Sequence, residues 1–342
     1  MKLKQLFGKI LKIFLPLLLG IVLLWSLYHK SDWTKIAEIV KVGVDYKILL
    51  SSLFFGLAAN VIRGFRWAML IDSLGKPVKR KNIIYAVLGS YAINNAIPFR
   101  VGEIWRCGIT SKYEKVPFTK LLGTLFVDRF MDSVMVTLLT LCLFTFNIHF
   151  FNNFFSENPP LIIDTFYKII SSGWTYLGIV TVIVLIWILF VKFNHLIIVQ
   201  KIKGFIYKVW EGVRSLWKIK RKSLFLLQTL LIWSGYFLYF YITFFAFDFT
   251  KDLGVRIALI AFVMSSIGIA IPVPGGIGVW NFMVISTFVT FGVNNTDAEA
   301  FTIVVWSVQY IWFVLVGLFG IIALPLANRR RGERDEVNKF SN

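Results

Sequence analysis

The chain has 342 residues, 57% of them hydrophobic, and a mean hydropathy of +0.73, whereas a soluble domain is about 45–50% apolar. Its 37 Lys and Arg against 18 Asp and Glu give a formal net charge of +19. This composition excludes a disordered chain, a collagen-like chain and an ordinary soluble enzyme; it also argues against nucleic acid as a partner, because the charge rides on a lipid-soluble chain. What remains is an all-α, polytopic bundle of membrane helices.

A crossing helix needs about 20 apolar residues. Lys2, Lys4, Lys9 and Lys12 precede an apolar run from Ile13 to Leu27 that leaves through Tyr28-His29-Lys30, with no small-residue cleavage site. This pattern predicts a retained first helix over residues 10–28 and not a cleaved signal. Further spans are predicted over 48–70, 120–147, 173–191, 223–247 and 300–326, making six. Two apolar stretches, 83–98 and 257–271, are short. Each ends in a Pro/Gly cluster and is followed by a segment that turns back, 100–111 and 277–292. These are read as two re-entrant, broken-helix pairs inside one integral-membrane domain, 1–328, followed by a basic polar tail, 329–342.

Placing the N-terminus in the cytoplasm puts 25 Lys and Arg in the inside segments and 7 in the outside ones. The positive-inside rule therefore predicts cytoplasmic N- and C-termini. Most of the +19 is then topogenic. The 192–222 loop carries nine basic residues among Tyr207, Trp210 and Trp217 and is expected to lie along the anionic inner leaflet.

The two broken segments resemble each other. Ala96 to Trp105 reads AIPFRVGEIW and Ala270 to Trp280 reads AIPVPGGIGVW, and one inserted residue aligns them. Each follows a long span and precedes another, and the charge-derived topology makes one pair dip from inside and the other from outside. The sequence thus predicts an inverted-topology repeat of units 46–147 and 223–326, the plan of many secondary transporters. Pro removes a backbone donor, Gly permits the turn and a close approach, and broken backbone at membrane depth survives only in protein or against a wet cavity. A packed kink without a ligand is the alternative reading.

Charges at membrane depth cost at least about 2.5–3.5 kcal/mol each and mark function by default. Eight are predicted there: Arg63, Arg66, Arg100, Glu103, Arg106, Asp128, Arg129 and Asp132. Arg100, Glu103 and Arg106 recur every three residues on the Pro/Gly break, and Asp128 and Asp132 are one helical turn apart. Five cations face three anions, and the surplus suits a phosphate head group, which Arg binds bidentately. Arg63 and Arg66 either join that site or snorkel to the interface; Asp128, Arg129 and Asp132 either bind substrate or form a structural ion knot. The second half offers Ser265, Ser266, Asn281 and Gln309 in place of charge. Cys107 and Cys142 give neither a disulfide framework nor metal spacing, and His29, His149 and His195 sit near the ends of apolar runs. No cofactor and no metal are expected.

Arg63-Gly64-Phe65-Arg66-Trp67, Asn94-x-x-x-Pro98-x-Arg100-x-Gly102-Glu103-x-x-Arg106, Asp128-Arg129-x-x-Asp132 and Pro272-x-Pro274-Gly275-Gly276-x-Gly278 together resemble the lysylphosphatidylglycerol synthase transmembrane family. The resemblance covers nearly the whole chain. It implies a prokaryotic plasma-membrane protein with a flippase-like core, which in two-domain relatives moves aminoacylated phosphatidylglycerol made by a soluble domain. With sixteen residues after the last predicted span, synthase activity is not expected here. Many relatives carry Glu where this chain reads Val279-Trp280-Asn281.

Three functions follow as expectations. The first is a translocase of a lipid or lipid-linked solute, with its site at the two breaks. The second is a membrane-embedded head-group enzyme using Asp128, Asp132 and Glu103 as acid and base; missing nucleophile, His-cluster and metal-spacing motifs argue against it, and the chain is read as no enzyme. The third is a non-transporting partner of a cytoplasmic glycosyltransferase or other lipid-modifying enzyme.

Overall fold

The computed structural model describes residues 18, 20–22, 24–146, 181, 197–270 and 273–340. The expected 173–191 span, much of the 10–28 span, and Ile271 and Pro272 lie outside the described residues. Within them the fold is helical, apart from one isolated β-bridge between Val44 and Phe247.

A helical stretch ending at Tyr28 leads into α1, Trp33–Val42, and α2, Tyr46–Asp72. Both start on an aspartate. Asp32 accepts from the amides of Thr34 and Lys35, and Asp45 from those of Lys47 and Ile48, which satisfies donors that a helix start leaves free. Next come α3, Arg80–Ala96, α4, Val101–Glu114, and α5, Phe118–Phe146. The second half opens with α6, Ile197–Val213, followed by α7, Lys222–Tyr241, α8, Gly254–Ala270, α9, Val279–Thr290, and α10, Asn295–Phe340.

Four helical stretches are long and apolar enough to cross a bilayer: Tyr46–Asp72, Phe118–Phe146, Lys222–Ala246 and Asn295–Arg329. They match four of the six predicted spans, and the helix of the last runs on through the basic tail to Phe340. The short stretches are short for a reason visible in the chain. At 1.5 Å per residue, the 17 residues of α3 and of α8 reach about 25 Å and the 12 of α9 about 18 Å, less than the roughly 30 Å of hydrocarbon.

In packing, α2 runs against α7, α3 against α10, and α5 against α8, while α3/α4 and α8/α9 form two hairpins. One aromatic cluster holds the second half together around Phe244, Phe247, Phe288 and Phe301, all buried. A second core gathers Trp67, Ile71, Leu121 and Phe225. Leu226, Leu227 and Leu230 of α7 and Ile311, Leu315 and Ile322 of α10 point outward and exposed, as a lipid-facing surface requires.

The basic segment forms α6, which lies against α5 at a glycine crossing. A Cβ on Gly123 would sit 2.1 Å from the Val209 carbonyl oxygen, and one on Gly212 would sit 2.3 Å from that of Lys120. Small residues let two backbones approach in this way. Lys120 adds an ion pair to Glu211 at 2.6 Å, while Phe205, Tyr207, Trp210 and Trp217 remain exposed. Gly123→Leu is expected to cost roughly 1–3 kcal/mol through overpacking. It should also lift α6 from α5, read as a lower Tm and faster tryptic cleavage within residues 201–222.

Candidate functional site

The eight intramembrane charges predicted from the sequence form one network. Arg66 holds Asp128 with two nitrogens, Nε at 3.2 Å and Nη2 at 2.6 Å from Oδ1, and reaches Asp132 Oδ1 at 2.9 Å and the Thr229 hydroxyl at 3.1 Å. Arg63 donates to Asp132 Oδ2 at 2.5 Å and to the Tyr236 hydroxyl at 3.1 Å. Arg106 donates to Asp128 Oδ2 at 2.9 Å and lies 4.5 Å over the Trp67 ring. Arg129 sits 3.3 Å from Asp128 Oδ2, 3.1 Å from Asp132 Oδ2 and 3.4 Å from Glu103. Desolvated charges are tolerable only when paired and hydrogen-bonded in this fashion. The snorkelling alternative for Arg63 and Arg66 is therefore corrected: both are buried and turned into the bundle, because the carboxylates of α5 outcompete the interface.

The first break follows from Pro98. The preceding Ile97 takes φ −124 and ψ 132, the extended region that proline imposes on its predecessor. Phe99 and Arg100 then both adopt positive φ, 61° and 52°, which non-glycine residues rarely do. Arg100 ends up as the cap of α4, and the Asn94 side chain accepts from the Gly102 amide at 2.8 Å. Only glycine fits at 102, since a Cβ there would lie 2.1 Å from the Ser90 carbonyl oxygen. The second break repeats the plan. Val273 before Pro274 is extended, at φ −95 and ψ 141, and Gly275 and Gly276 have φ of 58° and 68°.

The two breaks are tied together. Arg100 Nη2 donates to the Ile269 carbonyl at 2.9 Å, at the C-terminal end of α8 where a cation meets the negative pole of the helix. From α10, Trp306 Nε1 donates to the Gly275 carbonyl at 3.0 Å and the Tyr310 hydroxyl to that of Asn95 at 3.3 Å. The Trp306 and Tyr310 rings stack with centroids 4.9 Å apart.

Between the breaks and the charge network lies a cavity of about 570 Å³, within the usual range for ligand pockets. Arg63, Arg100, Arg129 and Asp132 are its charged lining residues, and aromatic residues such as Trp233, Tyr236 and Trp306 line it as well.

Seven predicted site residues border this cavity: Asn94, Arg100, Arg129, Asp132, Gly275, Gly276 and Arg63. Arg66, Arg106, Glu103 and Asp128 stand behind them, in the network. Pro98, Gly102, Pro274 and Gly278 shape the breaks. Asn281 is turned elsewhere: it donates to the Tyr28 hydroxyl at 3.1 Å and accepts from the Gly278 amide at 3.3 Å, so it caps α9 while its neighbour Trp280 borders the cavity. Pro272 lies outside the described residues. The aromatic wall was not anticipated. Its signal was present in Trp306, Tyr310 and Phe313, which recur at i, i+4 and i+7 on one face of α10.

A family model described as the lysylphosphatidylglycerol synthase TM region matches residues 13–317. A UPF0104 membrane protein of Methanocaldococcus jannaschii is 28% identical over 136 residues, 39% of this chain and 40% of that protein. The chain thus matches about two fifths of that relative's length. No solved structure matches.

Proposed function

The chain belongs to the family of the lysylphosphatidylglycerol synthase transmembrane region, and from that premise we propose that it is a flippase-like translocase moving a lipid with a phosphate-bearing head group between leaflets of the plasma membrane. The observation that carries this reading is the cavity bordered by both breaks and lined by Arg63, Arg100, Arg129 and Asp132, which belong to a network of five cations and three anions. Two helical units related by inverted topology are part of the proposal. Exchanging α2–α5 with α7–α10 maps the α2/α7 contact onto itself, α3/α10 onto α8/α5, and one hairpin onto the other. Extended-before-proline geometry followed by a pair of positive φ values occurs at both breaks. In such repeats broken helices form a midplane site, and alternating access is largely a rocking of one repeat against the other around it.

A catalytic reading gains less support. Both oxygens of Asp128 and of Asp132 are held by guanidinium groups, which leaves neither free as a base.

Reconstitution tests the proposal. Vesicles carrying acyl-labelled phosphatidylglycerol are treated with a membrane-impermeant quencher; the protein should let the quencher consume the inner-leaflet half. A protected half as stable as in protein-free vesicles would refute the reading.

The proposed topology has its own test. On a background lacking Cys107 and Cys142, single cysteines at Gly75 and Lys112 should label from the cytoplasm and those at Asp252 and Asn294 from outside. All four positions are exposed. Labelling of all four from one side would remove the inverted repeat.

A further inference from the structure

Resting on the translocase reading, we infer that the head group is an anionic phosphate ester bearing neutral hydroxyls, a polyol or sugar, and that the cavity rejects head groups ending in an ammonium. Two observations converge on this class. The first concerns which charges a ligand can reach. The Arg100 and Arg129 side chains keep 38% and 27% of their surface, whereas Glu103, Asp132 and Asp128 keep 12%, 13% and 0%. The accessible charge is therefore cationic. Among the described residues Asp132 is the one carboxylate bordering the cavity, and Arg63, Arg66 and Arg129 already occupy it. An incoming ammonium finds no open anion and meets two guanidinium groups; a phosphate finds the Arg100 fork, held among the described residues only by the Ile269 carbonyl and a 3.4 Å contact to Glu103, with the positive charge of Arg129, itself paired to three carboxylates, beside it.

The second observation is the neutral polar lining. Asn94 spends its side-chain oxygen on Gly102, and its amide nitrogen is left as a donor. Ser265 and Ser266 spend their protons on the Phe262 carbonyl and keep lone pairs free. Gln309 makes only a 3.5 Å contact to the Tyr239 carbonyl, and the buried Tyr239 hydroxyl has no partner among the described residues. All five residues border the cavity. Donors and acceptors are thus both on offer in a site whose walls are aromatic. A hydroxyl donates and accepts, so a polyol satisfies such a lining, while sugar and glycerol C–H faces pack on the rings. An ammonium only donates.

Displacement of acyl-labelled phosphatidylglycerol from the purified full chain in a neutral detergent decides the point. Phosphatidylglycerol and phosphatidylinositol should displace the label at mole fractions at least about tenfold below those for phosphatidylethanolamine and lysylphosphatidylglycerol. Tyr239→Phe and Gln309→Leu delete polar atoms that have no partner or a long one, so the unliganded Tm should hold. Each should weaken the two hydroxylated lipids about three- to tenfold, the range of one hydrogen bond, and leave phosphatidic acid unchanged. Lysylphosphatidylglycerol binding best, or hydroxylated lipids losing nothing in both variants, would overturn the inference while leaving the translocase reading intact. No displacement by any phospholipid would instead sink that reading. Soluble glycerol 3-phosphate displacing as well as the lipid would keep the head-group chemistry and remove the lipid.

Discussion

Asp128→Ala is expected to leave almost no folded protein. The carboxylate is fully buried and faces four guanidinium groups, those of Arg66, Arg106, Arg129 and Arg63. Among the described residues, deleting it leaves the buried Arg106 without its carboxylate and puts Arg63, Arg66 and Arg129 on Asp132 and Glu103 alone, a defect that costs about 3–5 kcal/mol against a total stability of only about 5–15 kcal/mol. Detergent-solubilised protein, followed by size-exclusion chromatography and thermal melting, should show aggregation at temperatures where the parent is monodisperse. Asp128→Asn preserves shape and one acceptor and should fall between the two. A double-mutant cycle with Arg106→Leu should return part of the loss, because among the described residues Arg106 pairs with Asp128 alone and the two charges then disappear together. A parent-like melt for Asp128→Ala would mean that the cluster is solvated and that no such network supports the bundle.

Arg100 gives the complementary expectation: a variant that folds and fails to function. Arg100 follows Phe99 in a second left-handed conformation, and each such non-glycine residue costs on the order of 1–3 kcal/mol. Its side chain is more than a third exposed and makes one good bond, to the Ile269 carbonyl. Arg100→Gly should therefore keep or raise the Tm while abolishing lipid displacement and translocation. Arg100→Lys keeps the charge and the strain and loses the planar fork that grips two phosphate oxygens; its lipid affinity should fall at least about tenfold. An Arg100→Lys protein that binds and moves lipid like the parent would dismiss Arg100 as a head-group ligand and leave Arg129 as the accessible cation to test.

Much of this architecture was legible in the sequence because membrane helices advertise themselves. Apolar runs marked four described spans to within a few residues, and Pro98 and the Pro274-Gly275-Gly276 run marked both breaks. The eight charges stood out because charge at membrane depth is rare. Sequence alone did not reveal which charges pair. Arg66 and Asp128 lie 62 residues apart, and periodicity within a helix carries no information about a partner on another. Arg63 and Arg66 accordingly looked as much like interface anchors as core residues. Asn281 was misplaced for a related reason: its neighbour Trp280, one residue away on the helix, carries the cavity face. The aromatic wall was hidden by abundance, since 34 Phe, 12 Trp and 12 Tyr make any single ring unremarked until α7 and α10 bring theirs around one space.

The distribution of the network along the chain has a consequence for synthesis. Arg63 and Arg66 leave the ribosome 62 to 69 residues ahead of the aspartates that neutralise them. A ribosome that has completed α2, α3 and α4 has therefore presented four buried or half-buried arginines with Glu103 as their sole anion among these helices' network residues. Each such charge costs at least about 2.5–3.5 kcal/mol in hydrocarbon. These helices are therefore expected to stay beside the insertion machinery until α5 emerges with Asp128 and Asp132. On this expectation the first half of the chain enters the bilayer as one unit, so a nascent chain stalled before Phe118 should stay crosslinkable to that machinery where one stalled beyond Phe146 no longer does.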